Sequence, residues 1–209
     1  MSRASKYVAA LIEARALRAA RRQADPPAMP SNPGPEPPPT ARPNPSQGTN
    51  PMILTVDEFV QVVEQWAKAS LSAIGRVWPL RGGWEQWAQA EIAAYINAIN
   101  PSYSVEREAD TYGDQRRADL LINQGASQWA QEWIVVEMKC QCPHSPYAFA
   151  AGFNDDKVKI LDVAEPYRTT QKLCLGICVD GRTLEGMEAM GYPIIRIDHE
   201  IGLVMYLAR

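Results

Sequence analysis

The feature that most limits the fold is a change of hydrophobic period near Pro101. Upstream of it apolar residues recur at helical spacing. Phe59, Val62, Val63 and Trp66 follow "TVDE", in which Thr55 reads as an N-cap and Glu58 as its capping-box partner. That helix is expected to run to about Ser72. A second, "WEQWAQAEIAAYINAI", follows the "PLRGG" break and is stopped by Asn100 and Pro101. Its apolar stripe reads as Trp84, Trp87, Ala88, Tyr95 and Ala98, with Glu91 in the middle. Downstream the period is 2. "SYSVEREAD", "RRADLLIN" and "EWIVVEMKC" read as three strands joined by the turns "TYGDQ" and "QGAS". Asn154 is a candidate N-cap for a helix over "DDKVKILDVA", stopped by Pro166. "KLCLGICV" is a fourth strand, "RTLEGMEAM" a short helix, and "YPIIRID" and "IGLVMYLA" two last strands. The order is ααβββαβαββ, an α/β (α+β) chain with a mixed sheet flanked by helices.

The 209 residues suffice for one substantial domain, and a hydrophobic share of 46% with six Trp is that of a globular core. No apolar run reaches the length of a membrane span, and the N-terminus has no signal-peptide core, so a soluble intracellular protein with no membrane partner is expected. Cys140, Cys142, Cys174 and Cys178 lie in strand-like apolar runs and are expected to be reduced thiols. Charge is split along the chain. Residues 1–51 hold seven Lys+Arg against three Asp+Glu, net +4, which leaves 14 against 21, net −7, for residues 52–209. Three segments follow: a basic Ala/Arg-rich arm with a short helix over 1–24, a disordered linker over 25–51 with 11 of the 17 prolines, and a folded body over 52–209. A targeting peptide is the other reading of the arm. An acidic body is a poor polyanion surface, so a nucleic-acid partner requires the charge to be offset.

Within the strands, charge interrupts apolar sequence where burial would be costly. Alternation places Val135, Glu137, Lys139 and Gln141 on one face of their strand. Asp119 joins the Glu137 face if the two strands pair through the intervening hairpin. Two carboxylates and an ammonium would then meet at one end of the sheet. Such a pair suits Mg²⁺, which takes one or two protein carboxylates and leaves positions for water and phosphate. The Met138 carbonyl could add a third oxygen, and Lys139 could position or help deprotonate an attacking water. A zinc site built from the cysteines and His144 ranks lower, because the spacings are not those of zinc knuckles. A hydrolase centred on His144 or His199 lacks a nucleophile-and-acid motif.

"RRADLLI", then "VVEMK", with "WEQWAQAEIAAYI" upstream and a helix and strand downstream, resembles the PD-(D/E)xK nuclease superfamily, the restriction-endonuclease-like fold, over roughly residues 84 to 180. The resemblance puts the first family acid on Asp119, the E-x-K pair on Glu137 and Lys139, and the first-helix Glu on Glu91. Ala118 stands where the family often has Pro, and Gln141 matches an extended E-x-K-x-Q form. The expectation is a Mg²⁺-dependent endonuclease, with Mn²⁺ as a substitute, that cleaves phosphodiesters of DNA rather than RNA. Asp119, Glu137, the Met138 carbonyl and Glu91 would serve the metal, while Gln141, Lys157, Lys159 and Arg117 would contact substrate. A homodimer is left open. The rival readings are a nuclease-fold protein that binds without cutting and a Trp-rich protein-interaction module.

Overall fold

The computed structural model describes residues 52–81, 83–143 and 148–208. The expected arm helix, the Pro-rich linker and His144 lie outside the described residues.

Helix α1 (Val56–Val77) opens on the expected capping box. The Thr55 hydroxyl accepts from the Glu58 N–H at 3.2 Å, and the Glu58 carboxylate accepts from the Thr55 N–H at 2.9 Å. The helix runs a turn past Ser72, with Ile74 still buried. Helix α2 (Glu85–Ile99) follows. Strands β1 (Val105–Ala109), β2 (Ala118–Ile122) and β3 (Ile134–Cys140) come next, then α3 (Ala148–Lys159), β4 (Gln171–Val179), α4 (Gly181–Ala189), β5 (Ile194–Arg196) and β6 (Ile201–Ala208). The expected order of elements is the observed one. Among the described residues, four α-helices flank one mixed sheet of six strands in the order β1-β2-β3-β4-β6-β5, with β3 and β4 parallel and every other pair antiparallel.

Strand alternation sorts the core into two layers. Val136, Met138, Leu173, Leu175 and Ile177 face α1 and α2, where Phe59, Trp66, Ile92 and Ile96 complete one apolar cluster. Val135, Cys174 and Cys178 face the other way, against Phe149 and Phe153 of α3 and Leu184 and Met187 of α4. Gly176 lets α3 sit close to the sheet, since a Cβ there would come within 2.6 Å of the Phe149 ring. All four cysteines are free thiols.

Two details differ from the sequence reading. Helix α3 begins at Ala148, so Asn154 is an interior residue whose amide donates back to the Ala150 carbonyl at 2.9 Å. Phe149 and Phe153, four residues apart and both buried, supply the apolar face that carries the helix upstream. On α2 the buried positions are Ala88, Gln89, Ile92, Ala93 and Ile96, while Trp87 and Tyr95 are half-buried. The two isoleucines take the inward stripe, which turns the helix relative to the expected Trp87–Glu91–Tyr95 face.

Candidate active site

The site forms where the sheet opens. Strands β2 and β3 pair from Ile122–Ile134 to Leu120–Val136. Beyond Val136, β3 continues against β4 alone, through Cys140 paired with Ile177. Along a strand the N–H and C=O of one residue face the same neighbour. The amides of Met138 and Cys140, on the side facing β2, therefore lose their ladder partners and need others. Two carboxylates supply them. Asp119 Oδ2 accepts from the Met138 N–H at 2.5 Å, and Glu85 Oε2 accepts from the Cys140 N–H at 2.9 Å. The Met138 carbonyl, on the same side as its N–H, faces this gap.

Helix phase decides what α2 contributes. The Trp84 indole donates to the Gln141 carbonyl at 2.9 Å, which fixes the start of the helix to the end of β3. Glu85 and Gln89, four residues apart, then lie on one helix face. Gln89 is 1% exposed and its amide donates to Asp119 Oδ1 at 2.8 Å. Glu91 is two residues further on, about 200° around the helix, and makes no hydrogen bond or ion pair among the described residues. The expected first-helix acid is thus not Glu91; Glu85 and Gln89 reach this end of the sheet instead.

Glu137 is 2% exposed on the face turned to α3. Tyr112, itself buried, donates its hydroxyl to Oε1, and Lys159 donates to Oε2 at 2.7 Å. Phe149, Gly152, Phe153, Asp156 and Lys159 follow the inward stripe of α3, so Asp156 and Lys159 both come to the site. Lys139 Nζ lies between Glu85 Oε2 at 3.2 Å and Asp156 Oδ2 at 3.6 Å. Its stem crosses α3 at Gly152, where a Cβ would meet the lysine carbons at 3.2 Å.

The electrostatics follow from burial and crowding of like charge. Burial first, and the charge of Glu137 second, push Asp119 up to about 7, against the pull of the Met138 N–H. Burial also raises Glu137, against the Lys159 and Tyr112 hydrogen bonds. For Lys139, burial works downward, yet Glu85 and Asp156 outweigh it and hold the ammonium above its ordinary range. In this surrounding Lys139 presents a positive charge held between two carboxylates. Burial and Glu137 raise Tyr112 as well.

Three further expectations are corrected. Gln141 is 1% exposed and spent within the fold: Oε1 accepts from the Val179 N–H at 2.8 Å, and Nε2 donates to the Thr183 hydroxyl at 2.8 Å. It ties β3 to the start of α4 and is not a substrate contact. Lys157, about 100° from the inward stripe of α3, donates to the Tyr192 hydroxyl at 2.7 Å and lies over the Tyr192 and Tyr206 rings, away from the carboxylates. Arg117 sends its guanidinium to the Glu108 carbonyl at 3.1 Å; only its own carbonyl touches the site, accepting from Lys159 at 2.9 Å. Tyr112, Gln89, Glu85 and Asp156 belong to the site without a place in the sequence reading. Tyr112 stands in a turn, where no periodicity marks it, whereas the i, i+4 spacing of Glu85 and Gln89 becomes informative once the helix phase is known.

Among the described residues no cluster of three or more His, Cys, Asp or Glu is placed to hold a metal. Asp119, Glu137 and the Met138 carbonyl offer oxygen donors alone, and an ionised carboxylate has lone pairs beyond those already engaged. Four carboxylates, Glu85, Asp119, Glu137 and Asp156, meet two ammonium groups, Lys139 and Lys159, an excess of two negative charges when all are ionised. That donor set fits a hard divalent cation held by two carboxylates. No helix among the described residues is long and apolar enough to cross a membrane. Comparison with protein-family models, curated proteins and solved structures gave no match to this chain.

Proposed function

We propose that this protein is a metal-dependent nuclease with a restriction-endonuclease-like core of the PD-(D/E)xK type, hydrolysing phosphodiester bonds of nucleic acid, DNA rather than RNA. One observation carries the reading: Asp119 and Glu137, from neighbouring strands, are both buried where the strands part, and burial raises both, with the charge of Glu137 adding to the cost of ionising Asp119. Asp119, Glu137 and the Met138 carbonyl would hold Mg²⁺ or Mn²⁺, which supplies Lewis-acid stabilisation and lowers the pKa of bound water. Lys139, clasped by Glu85 and Asp156, offers positive charge to phosphate oxygens. The basic arm, net +4, offsets the acidic body toward a polyanion.

A nuclease-fold protein that binds without cutting is favoured by one specific observation: both oxygens of Glu137 already have donors within the protein. Incubating the purified full chain with single- and double-stranded DNA and RNA, in Mg²⁺, Mn²⁺ or EDTA, separates the two. Cleavage that needs the cation and is lost in Glu137→Gln supports the nuclease. Cation uptake without cleavage of any substrate supports the binding protein.

A further inference from the structure

Resting on that reading of the two carboxylates as a cation site, we propose that Lys159 is the counter-ion Glu137 keeps until a divalent cation binds, and that the freed ammonium then serves the substrate phosphate. The donors to the carboxylate pair are of two kinds. Gln89 and the Met138 N–H on Asp119, and the Tyr112 hydroxyl on Glu137, are neutral. Lys159 is the one positive charge in hydrogen-bond contact with either carboxylate among the described residues, and it touches Glu137 Oε2 at 2.7 Å. Glu137 is 2% exposed, so solvent screens the pair weakly. A second cation at the same oxygen would stand within a few ångströms of the ammonium, and like charges at that separation repel strongly in a low-dielectric site. The two compete for one carboxylate.

Lys159 also has somewhere to go. Its Nζ already donates to the Arg117 carbonyl at 2.9 Å and lies 5.2 Å from the Tyr112 ring centroid, and its side chain is 27% exposed. Released from Glu137, the ammonium stays tethered at the solvent edge of the site, where a phosphate oxygen can reach it. The neutral donors need not move, because a carboxylate can accept them and a cation together. Lys159 is thereby a competitor of the cation when substrate is absent and a partner of the phosphate when the cation is bound.

Mn²⁺ binding to the full chain, stripped with EDTA and measured calorimetrically at pH 8 without nucleic acid, tests this. Lys159→Met, which keeps the length and removes the charge, should bind Mn²⁺ on the order of tenfold more tightly than wild type. Lys159→Arg should bind like wild type, and Glu137→Gln should lose the site. Because Lys159→Met leaves Glu137 without its ion pair and could fold poorly, a second measurement uses the wild type alone. The ¹³Cε relaxation of Lys159 should show the side chain loosening as Mg²⁺ saturates the site. Equal or weaker Mn²⁺ binding by Lys159→Met, or relaxation that Mg²⁺ leaves unchanged, overturns the proposal while uptake lost in Glu137→Gln keeps the metal reading. Absence of uptake by wild type and variants alike, or uptake that survives Glu137→Gln, defeats the metal reading and this proposal with it.

Discussion

Asp119→Asn should make the protein more stable and inactive at once, and the stability half can be worked from the structure. In the native protein Asp119 holds its proton up to about pH 7, against an ordinary value of 3.8. Between those values the native state binds more protons than the unfolded chain, so stability falls as pH rises from 4 to 8. The full displacement corresponds to roughly 4 kcal/mol, and the partial exposure of Asp119 brings the expected loss to about 2 kcal/mol. An asparagine side chain in its place would not carry that charge. The amide carbonyl can accept from the Met138 N–H, and the amide nitrogen, facing the present Gln89 Nε2, can donate to Gln89 Oε1 once the Gln89 amide turns over, which costs Oε1 no existing hydrogen bond. Urea unfolding in EDTA at pH 4.5 and pH 8 provides the assay. Wild type and variant should be close at pH 4.5, and the variant more stable by about 2 kcal/mol at pH 8. Mg²⁺ at pH 8 should then stabilise wild type and leave the variant unmoved. A stability difference that is the same at both pH values, or a variant less stable at pH 8, would refute the argument that Asp119 is an ionised burden on the fold.

Gln141→Ala should cost about 1–3 kcal/mol in urea unfolding, because the Val179 N–H loses its acceptor; a loss of cleavage with unchanged stability would instead restore Gln141 as a substrate contact. Glu85→Gln keeps an oxygen for the Cys140 N–H but removes the charge that faces Lys139, so kcat should fall about ten- to a hundredfold with Mn²⁺ affinity unchanged. Unchanged kcat would show that the placement of Lys139 does not depend on Glu85.

The elements are legible in the sequence because each carries its own period. All ten come in the expected order, and alternation alone puts Glu137 and Lys139 on one face of β3. Which helix residues reach that face is not legible. On α2 two stripes compete, one aromatic through Trp87 and Tyr95 and one aliphatic through Ile92 and Ile96, and the choice between them rotates Glu91 out and Gln89 in. Only packing against the sheet decides it. Lys157 and Lys159 show the same limit: two residues apart in sequence, they go to an aromatic face and to Glu137. Gln141 escapes the sequence reading for another reason. Strand alternation assigns a face but not a depth, and the end of β3 lies under α4, where a polar side chain is used to satisfy backbone.

Burdens on stability gather where the strands part. Of the five buried side-chain atoms without a hydrogen bond among the described residues, Gln89 Oε1, Asp156 Oδ2 and Thr111 Oγ1 lie at or beside this site, where their residues bond to Asp119, ion-pair with Lys139 and adjoin Tyr112 in sequence; the other two are the indole nitrogens of Trp66 and Trp78 on α1 and at its end. An atom of this kind with no charged neighbour costs on the order of 1–3 kcal/mol, whereas Asp156 Oδ2 has Lys139 Nζ at 3.6 Å. The same few residues hold carboxylates raised by burial and by each other. The β4–β6 ladder, by contrast, pairs without a break from Lys172–Ala208 to Val179–Ile201. An amide in place of Asp119 would remove one of these charges while keeping an acceptor for the Met138 N–H. Neutral amides could satisfy the same backbone donors without burying carboxylates beside one another. The concentration of these burdens at the opening between β2 and β3, with backbone donors, two carboxylates and two ammonium groups around it, supports chemistry there over architecture.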